Sequence, residues 1–214
     1  MDASLEFYAV CPAGFEQIVS EELKSQGIKR IRPLKGGVAF FSTIEDALRS
    51  CLWLRSASRV LLVLARIGCA SADELYEQTR AIPWQEHIGP DATIAVSAHG
   101  TNRELRNTQF SAMRVKDAIC DELRAQTGKR PEVSKHRPDV QINVSIHAKK
   151  ATIAIDLAGE PLHKRGYRQE GENVQAPLKE ALAAGVLLMS PWARVVEGLK
   201  AGTLEPQDCV LIDP

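Results

Sequence analysis

Three observations predict an α+β fold of two compact units followed by a shorter remnant: the chain length, a β-α-β-β-α-β order of hydrophobic patterns, and a second helix–strand alternation after it. At 214 residues the chain is long for one small domain and comfortable for two. Its 44% hydrophobic and 25% charged residues are ordinary globular proportions, which argues against a disordered or fibrous chain.

The first unit opens with Leu5 to Val10, which alternates as a strand does before Pro12-Ala13-Gly14 breaks it. Phe15, Ile18, Val19 and Leu23 then recur at helical spacing, with Gly27 where a helix cap wants φ > 0. Lys29 to Leu34 and Val38 to Ser42 read as strands joined by the tight turn Lys35-Gly36-Gly37. Thr43 opens a helix over Ile44 to Arg55, with Glu45 and Asp46 suiting its first turn. The apolar run Arg59 to Ala65 suits a central strand. This order is that of ferredoxin-like folds, with two helices on one sheet face.

The second unit begins at the capping box of Ser71 and Glu74, which introduces a helix over Ala72 to Ala81. A strand over Thr93 to Ala98, a polar loop, and a long helix from Thr108 to Gln126 follow, the helix striped by Ala112, Val115, Ile119 and Leu123. Val140–Ile146 and Thr152–Leu157 alternate about Ala148-Lys149-Lys150 as a hairpin. Beyond Glu160-Pro161 lie a basic stretch, a polar linker, a helix from Ala176 to about Met189, and a strand over Cys209–Pro214. The expected divisions are 1–66, 67–160 and 161–214.

No apolar run approaches the roughly 20 residues of a membrane span, and the N-terminus lacks the basic start of a signal peptide. The cytoplasm is the expected compartment. Cys11, Cys51, Cys69, Cys120 and Cys209 are odd in number and lack metal-site spacing, so they read as reduced thiols, with no metal expected. His87, His99, His136, His147 and His163 are scattered, and no Ser or Cys has an identifiable base, so no catalytic residue is assigned.

Net charge is zero, yet residues 103–168 hold 14 Lys and Arg against 8 Asp and Glu. Such asymmetry hints at a polyanion partner, although a solvated face is the plain alternative. Arg103, Arg106, Asn107 and Gln109 surround a helix N-terminus, where free N–H groups and the dipole attract phosphate; Arg106 could instead pair with Glu104. Arg114 stands three residues before Asp117 and suits either a local ion pair or RNA, while Lys116 flanks the apolar stripe. Lys129, Arg130, Lys135 and Arg137 crowd a proline-containing loop suited to a phosphate backbone or to plain solvation. Lys164, Arg165, Tyr167 and Arg168 mix cations with an aromatic and could hold RNA or form an interdomain turn.

Arg106-Asn107-Thr108-Gln109-Phe110-Ser111-Ala112-Met113-Arg114-Val115-Lys116-Asp117-Ala118-Ile119 resembles the signature helix of THUMP domains in bacterial large-subunit rRNA guanine-N2 methyltransferases. Lys35–Val38, Leu52–Val60, Leu162–Arg168 and Ala176–Ala184 match the same family in its order. The resemblance implies a ferredoxin-like segment over 1–66 and a THUMP RNA-binding domain over 67–160. The start of a Rossmann-type methyltransferase domain would then follow, using S-adenosylmethionine on a guanine amino group of 23S rRNA. Leu211-Ile212-Asp213-Pro214 is similar to that domain's first strand, with Asp213 and Pro214 at the edge of the cofactor loop. The glycine-rich loop and the Asn-Pro-Pro-type motif do not follow within the sequence, so no cofactor binding or catalysis by this chain alone is expected. A stand-alone RNA-binding adaptor and a part of a tRNA thiolation or pseudouridylation enzyme are the alternatives, the latter disfavoured by Asp213-Pro214 and the Ala176–Ala184 helix.

Overall fold

Turn and cap chemistry sets the local structure. Gly36, at φ 81°, makes the turn between two strands, a conformation in which a side chain would be strained. The Thr43 hydroxyl accepts from the Asp46 N–H at 3.2 Å and starts one helix. The Ser71 hydroxyl accepts from the Glu74 N–H at 3.0 Å and starts another. The Glu74 carboxylate reaches back to the Ala70 N–H at 2.6 Å, so the reciprocal bond lands one residue earlier than in an ordinary capping box.

The computed structural model describes residues 4–134, 136–165 and 178–210. In chain order these form β1 (Leu5–Val10), α1 (Glu16–Ser25), β2 (Arg30–Leu34), β3 (Gly37–Ser42), α2 (Ile44–Trp53), β4 (Arg59–Gly68) and α3 (Ala72–Arg80). Then come β5 (Ile94–His99), α4 (Thr108–Thr127), β6 (Val140–His147), β7 (Lys150–Asp156), α5 (Glu180–Met189) and α6 (Trp192–Lys200). The sequence reading assigns no helix to 192–200; α6 forms there with Pro191 as its N-cap residue. Of the expected final strand, Cys209 and Val210 carry no strand, and 211–214 lie outside the described residues.

The two units share one seven-stranded sheet, ordered β2-β3-β1-β4-β7-β6-β5 and antiparallel throughout except between β5 and β6. The reason lies in β4, which extends past the expected Ala65 to Gly68. Its first part pairs with β1, from Arg59 to Leu62, and its other edge pairs with β7 from Leu61 to Gly68.

The register on β4 shifts between Val63 and Ala65, leaving Leu64 as an extra residue. Side chains alternate across a strand, so Leu62 and Ala65, three positions apart, would face opposite ways in a regular strand that had no bulge to absorb Leu64. With it, Val60 and Leu62 share a face with Ala65 and Ile67, as their partners Ile155, Ile153 and Ala151 require. Val60 and Leu62 pack with Phe7, Phe40, Val19 and Leu23 in one core, under α1 and α2. Ala65 and Ile67 pack with Leu75, Val115, Ile119, Val144 and Trp84 in a second, under α3 and α4. Four helices therefore cover one side of the sheet. The other side carries polar groups, among them a bidentate pair in which Arg66 donates to Glu6 at 2.5 and 2.6 Å.

After β7 the chain returns to the first unit, where Leu162 donates to the Ser58 carbonyl at 2.8 Å and buries its side chain in the first core. Helix α5 docks beside it. A Cβ on Gly185 would lie 1.9 Å from the Phe15 ring, so glycine is what lets this helix approach. No single described helix is long and apolar enough to cross a membrane.

Deleting Leu64 should remove the bulge yet keep Leu62, Ala65 and Ile67 on one face, at a cost of no more than about 2 kcal/mol, whereas deleting Val63 with it should turn Ala65 and Ile67 outward and Arg66 inward, costing at least about 4 kcal/mol and leaving little soluble folded protein. Leu64→Ala keeps the register and should cost only about 1–2 kcal/mol, measured by urea unfolding. The Arg66 guanidinium, through its hydrogen bonds, holds the Glu6 carboxyl below its ordinary 4.5. A carboxyl depressed on folding stabilises above its unfolded value and ceases to as pH falls through the folded one. Stability should therefore drop below about pH 4.5, and Glu6→Gln should flatten that part of the profile.

Candidate nucleic-acid interface

Helix α4 organises the candidate residues. Asn107 caps it, its side chain accepting from the Phe110 N–H at 3.1 Å, and Gly128 at φ 75° ends it. Its 20 residues span about 30 Å. Arg103, Arg106, Asn107 and Gln109 are exposed around its start, whereas Lys129, Arg130 and Arg137 follow its far end. The expected cations thus include one set around the start of α4 and another following its end, with Arg114 and Lys116 on the helix between them.

Many of them are also paired. Arg114 donates to Asp73 at 2.7 Å and to the Ala72 carbonyl at 3.3 Å, and it lies over the Tyr76 ring. Its partners come from α3, not from Asp117 on its own helix. Asp117 instead accepts Lys116 at 2.7 Å and lies 3.7 Å from Arg130. Lys129 pairs with Asp91 at 3.2 Å and Lys164 with Glu160 at 3.6 Å. Exposed pairs of this kind contribute little to stability, but they lower the net charge offered to a polyanion.

At Arg165 the structure shows the packing turn that the sequence reading held open beside RNA contact. Its guanidinium donates to the carbonyls of Leu162 at 2.8 Å, Cys51 at 3.2 Å and Leu54 at 2.5 Å, and to that of Leu52. These acceptors include the last carbonyls of α2, which a helix leaves unsatisfied and which favour a cation. On the other side of the same helix end, the buried Glu22 carboxylate accepts Arg55 N–H at 3.2 Å, Arg55 Nε–H at 3.0 Å and Ser56 N–H at 3.1 Å. Arg165 is therefore a clamp between the returning chain and α2. Lys135, Tyr167, Arg168, Asp213 and Pro214 lie outside the described residues.

Arg103 and Arg106, like the exposed Arg137, differ from these paired cations. Neither pairs with a carboxylate among the described residues; the Arg106 Nε–H donates to the Arg103 carbonyl at 2.8 Å, not to Glu104. Their loop is fixed by Asn102. Its amide donates to the carbonyls of Cys69 at 2.8 Å and Ala148 at 2.9 Å, and accepts from Glu104 N–H at 3.0 Å and Leu105 N–H at 2.7 Å. That is the full capacity of a side-chain amide. Gly100, at φ 76°, passes so close to β6 that a Cβ would sit 2.1 Å from the Ile146 oxygen.

Residues that sequence reasoning missed follow from the same place. Because β5 and β6 run parallel, with His99 opposite Ser145, their C-terminal ends emerge together. The loop bearing Arg103 therefore meets the β6–β7 turn bearing Lys149 and Lys150. Hairpin periodicity revealed the turn; only the parallel pairing shows what it stands beside. Phe110, half exposed in the first turn of α4, adds an aromatic face of the kind that stacks bases.

Comparison with known proteins agrees with this organisation. Residues 6–61 match the RlmL ferredoxin-like domain and residues 69–156 the THUMP domain. A ribosomal RNA large subunit methyltransferase K/L from Marinomonas sp. (strain MWYL1) is 44% identical over 89% of this chain and 27% of its own length. That from Syntrophotalea carbinolica is 40% identical over 98% of this chain and 29% of its own length. The chain belongs to the THUMP-containing ribosomal RNA large subunit methyltransferase family. It spans little more than a quarter of the length of these family members. A solved structure described as a methyltransferase complexed with SAH shares the fold at a TM-score of 0.76 and 29% identity, covering 90% of this chain and 50% of the other.

Replacing Arg165 by Ala should leave several α2 carbonyls unsatisfied and cost about 2 kcal/mol in urea unfolding. Arg165→Lys, a point charge without the planar fork, should recover less than half of it.

Proposed function

We propose that this chain is the RNA-capturing part of an rRNA methyltransferase that modifies a guanine N2 amino group in 23S rRNA. The observation that carries this reading is the exposed pair Arg103 and Arg106 at the start of α4, uncompensated by carboxylates among the described residues, beside the exposed Phe110 ring. Guanidinium groups next to free helix N–H groups suit phosphate, and the ring suits an unstacked base. The family membership supplies the kind of RNA; the surface supplies the means of holding it.

Methyl transfer, in this reading, belongs to the part of the longer relatives that the chain does not cover. S-adenosylmethionine would supply the methyl group there. In the cavity walled by Ala70, Asn102, Arg103, Glu104, Ala148 and Lys149 a sulfonium would meet two cations against one carboxylate. Asp213 and Pro214 remain our assignment for the edge of the cofactor loop, and the expected location is the cytoplasm.

The test is binding of a fluorescein-labelled structured fragment of 23S rRNA, followed by anisotropy across a salt series. Arg103→Glu with Arg106→Glu should weaken binding about tenfold or more and reduce the slope of log affinity on log salt by roughly two. Unchanged affinity and slope would remove the surface from the proposal. Calorimetry of this chain with S-adenosylmethionine should show no binding heat, and a saturable heat would overturn the assignment of the cofactor to other residues.

A further inference from the structure

Resting on the RNA reading, we propose a second phosphate-binding element in the β6–β7 turn, centred on Lys149 and Lys150 and held in place by Asn102. Two surface cavities meet there. One, of about 470 Å³, lies between the Arg103 loop and the turn, lined by Ala70, Asn102, Arg103, Glu104, Ala148 and Lys149, two cations against one carboxylate. The other, of about 590 Å³, lies along the open sheet side of the same turn, lined by Arg66, Ser145, His147, Lys149 and Lys150. Ala148 and Lys149 form walls of both, so a strand crossing the turn would meet cations in each.

The local chemistry favours a ligand over a bland solvated turn. Lys149 and Lys150 are consecutive, exposed, and without a carboxylate partner among the described residues, in contrast to the paired Lys116, Lys129 and Lys164. The turn is also built against local preference. Ala148 sits at φ 51°, a conformation that favours glycine. It is held there by the bond from Asn102, while the Lys149 carbonyl accepts from the Cys69 N–H at 2.9 Å. Uncommon backbone geometry kept by surrounding bonds concentrates where geometry matters for binding. Asn102 ties the Arg103 loop, the end of β4 and the turn to one another, which makes it a positioning residue for cations on two separate segments.

The RNA of the preceding test would be titrated with four proteins besides the unmodified chain. Lys149→Glu with Lys150→Glu should lower affinity about tenfold and the salt slope by roughly two, with unchanged thermal unfolding. Lys24→Glu with Lys29→Glu makes the same change in net charge on the first unit and should leave both measurements near those of the unmodified chain. Asn102→Ala should lower the salt slope as well as stability, because Arg103 and Lys149 no longer converge; a purely structural Asn102 would lower stability and leave the slope of the folded protein alone. Arg103→Glu with Arg106→Glu reports the first surface independently. If that variant weakens binding while the Lys149/Lys150 variant matches the unmodified chain, the second element is refuted and the RNA reading stands. Equal losses in the Lys24/Lys29 and Lys149/Lys150 variants would reduce the effect to net charge and also refute it. No binding by the unmodified chain overturns the RNA reading, and this inference with it.

Discussion

The architecture depends on one strand joining both units in a single sheet, and on the bulge in that strand. β4 gives its first edge to β1 and its second to β7, and the bulge that takes Leu64 out of the ladder keeps the apolar faces of both halves on the same side. Every other placement follows. Four helices can share one side because the strand does not change face, and the opposite side is left for polar groups such as the Glu6–Arg66 pair. At the junction, Arg59 on β4 pairs with the buried carboxylate of Asp156 on β7, whose other oxygen accepts from Ala158 and Gly159 N–H at 3.1 and 3.2 Å. A charge so placed is tolerated because its acceptors are filled.

Element types were legible in the sequence because each rests on local rules. β1 runs over Leu5–Val10 as its alternation predicts, and the caps at Thr43, Ser71 and Asn107 lie where hydroxyl or amide side chains precede helical spacing. The shared sheet was not legible. An apolar run such as Arg59–Ala65 shows that a strand is buried, but not that both its edges are paired or that it continues through Arg66 to Gly68. The bulge is invisible for a related reason: Leu64 is an apolar residue in an apolar run, and only the partner strand gives it a register.

The candidate site shows the same division. Charge counting located the basic third of the chain but could not say which cations were already matched, since Arg114 finds Asp73 and Arg165 finds carbonyls more than a hundred residues away. Asn102 offered no signal in sequence, as an amide in a polar loop is ordinary. Its importance arises from four bonds to segments that only the folded chain brings together. Arg165 and Gly185 have parallel roles at the other end. The first clamps the returning chain to α2 and the second lets α5 lie against Phe15, so the direction in which the chain leaves these units is fixed by packing.

The dual pairing of β4 also orders events during synthesis on the ribosome. Its partner β1 already exists when β4 emerges, but β7 begins only at Lys150. At roughly 5–20 residues per second, the hydrophobic edge of β4 waits for several seconds without its second neighbour. An unpaired edge of this kind invites aggregation, and a charged side chain on it is a common safeguard. Arg66, exposed and held by Glu6 of the already formed β1, sits in that waiting segment, giving the nascent chain a protected edge until the last strand arrives.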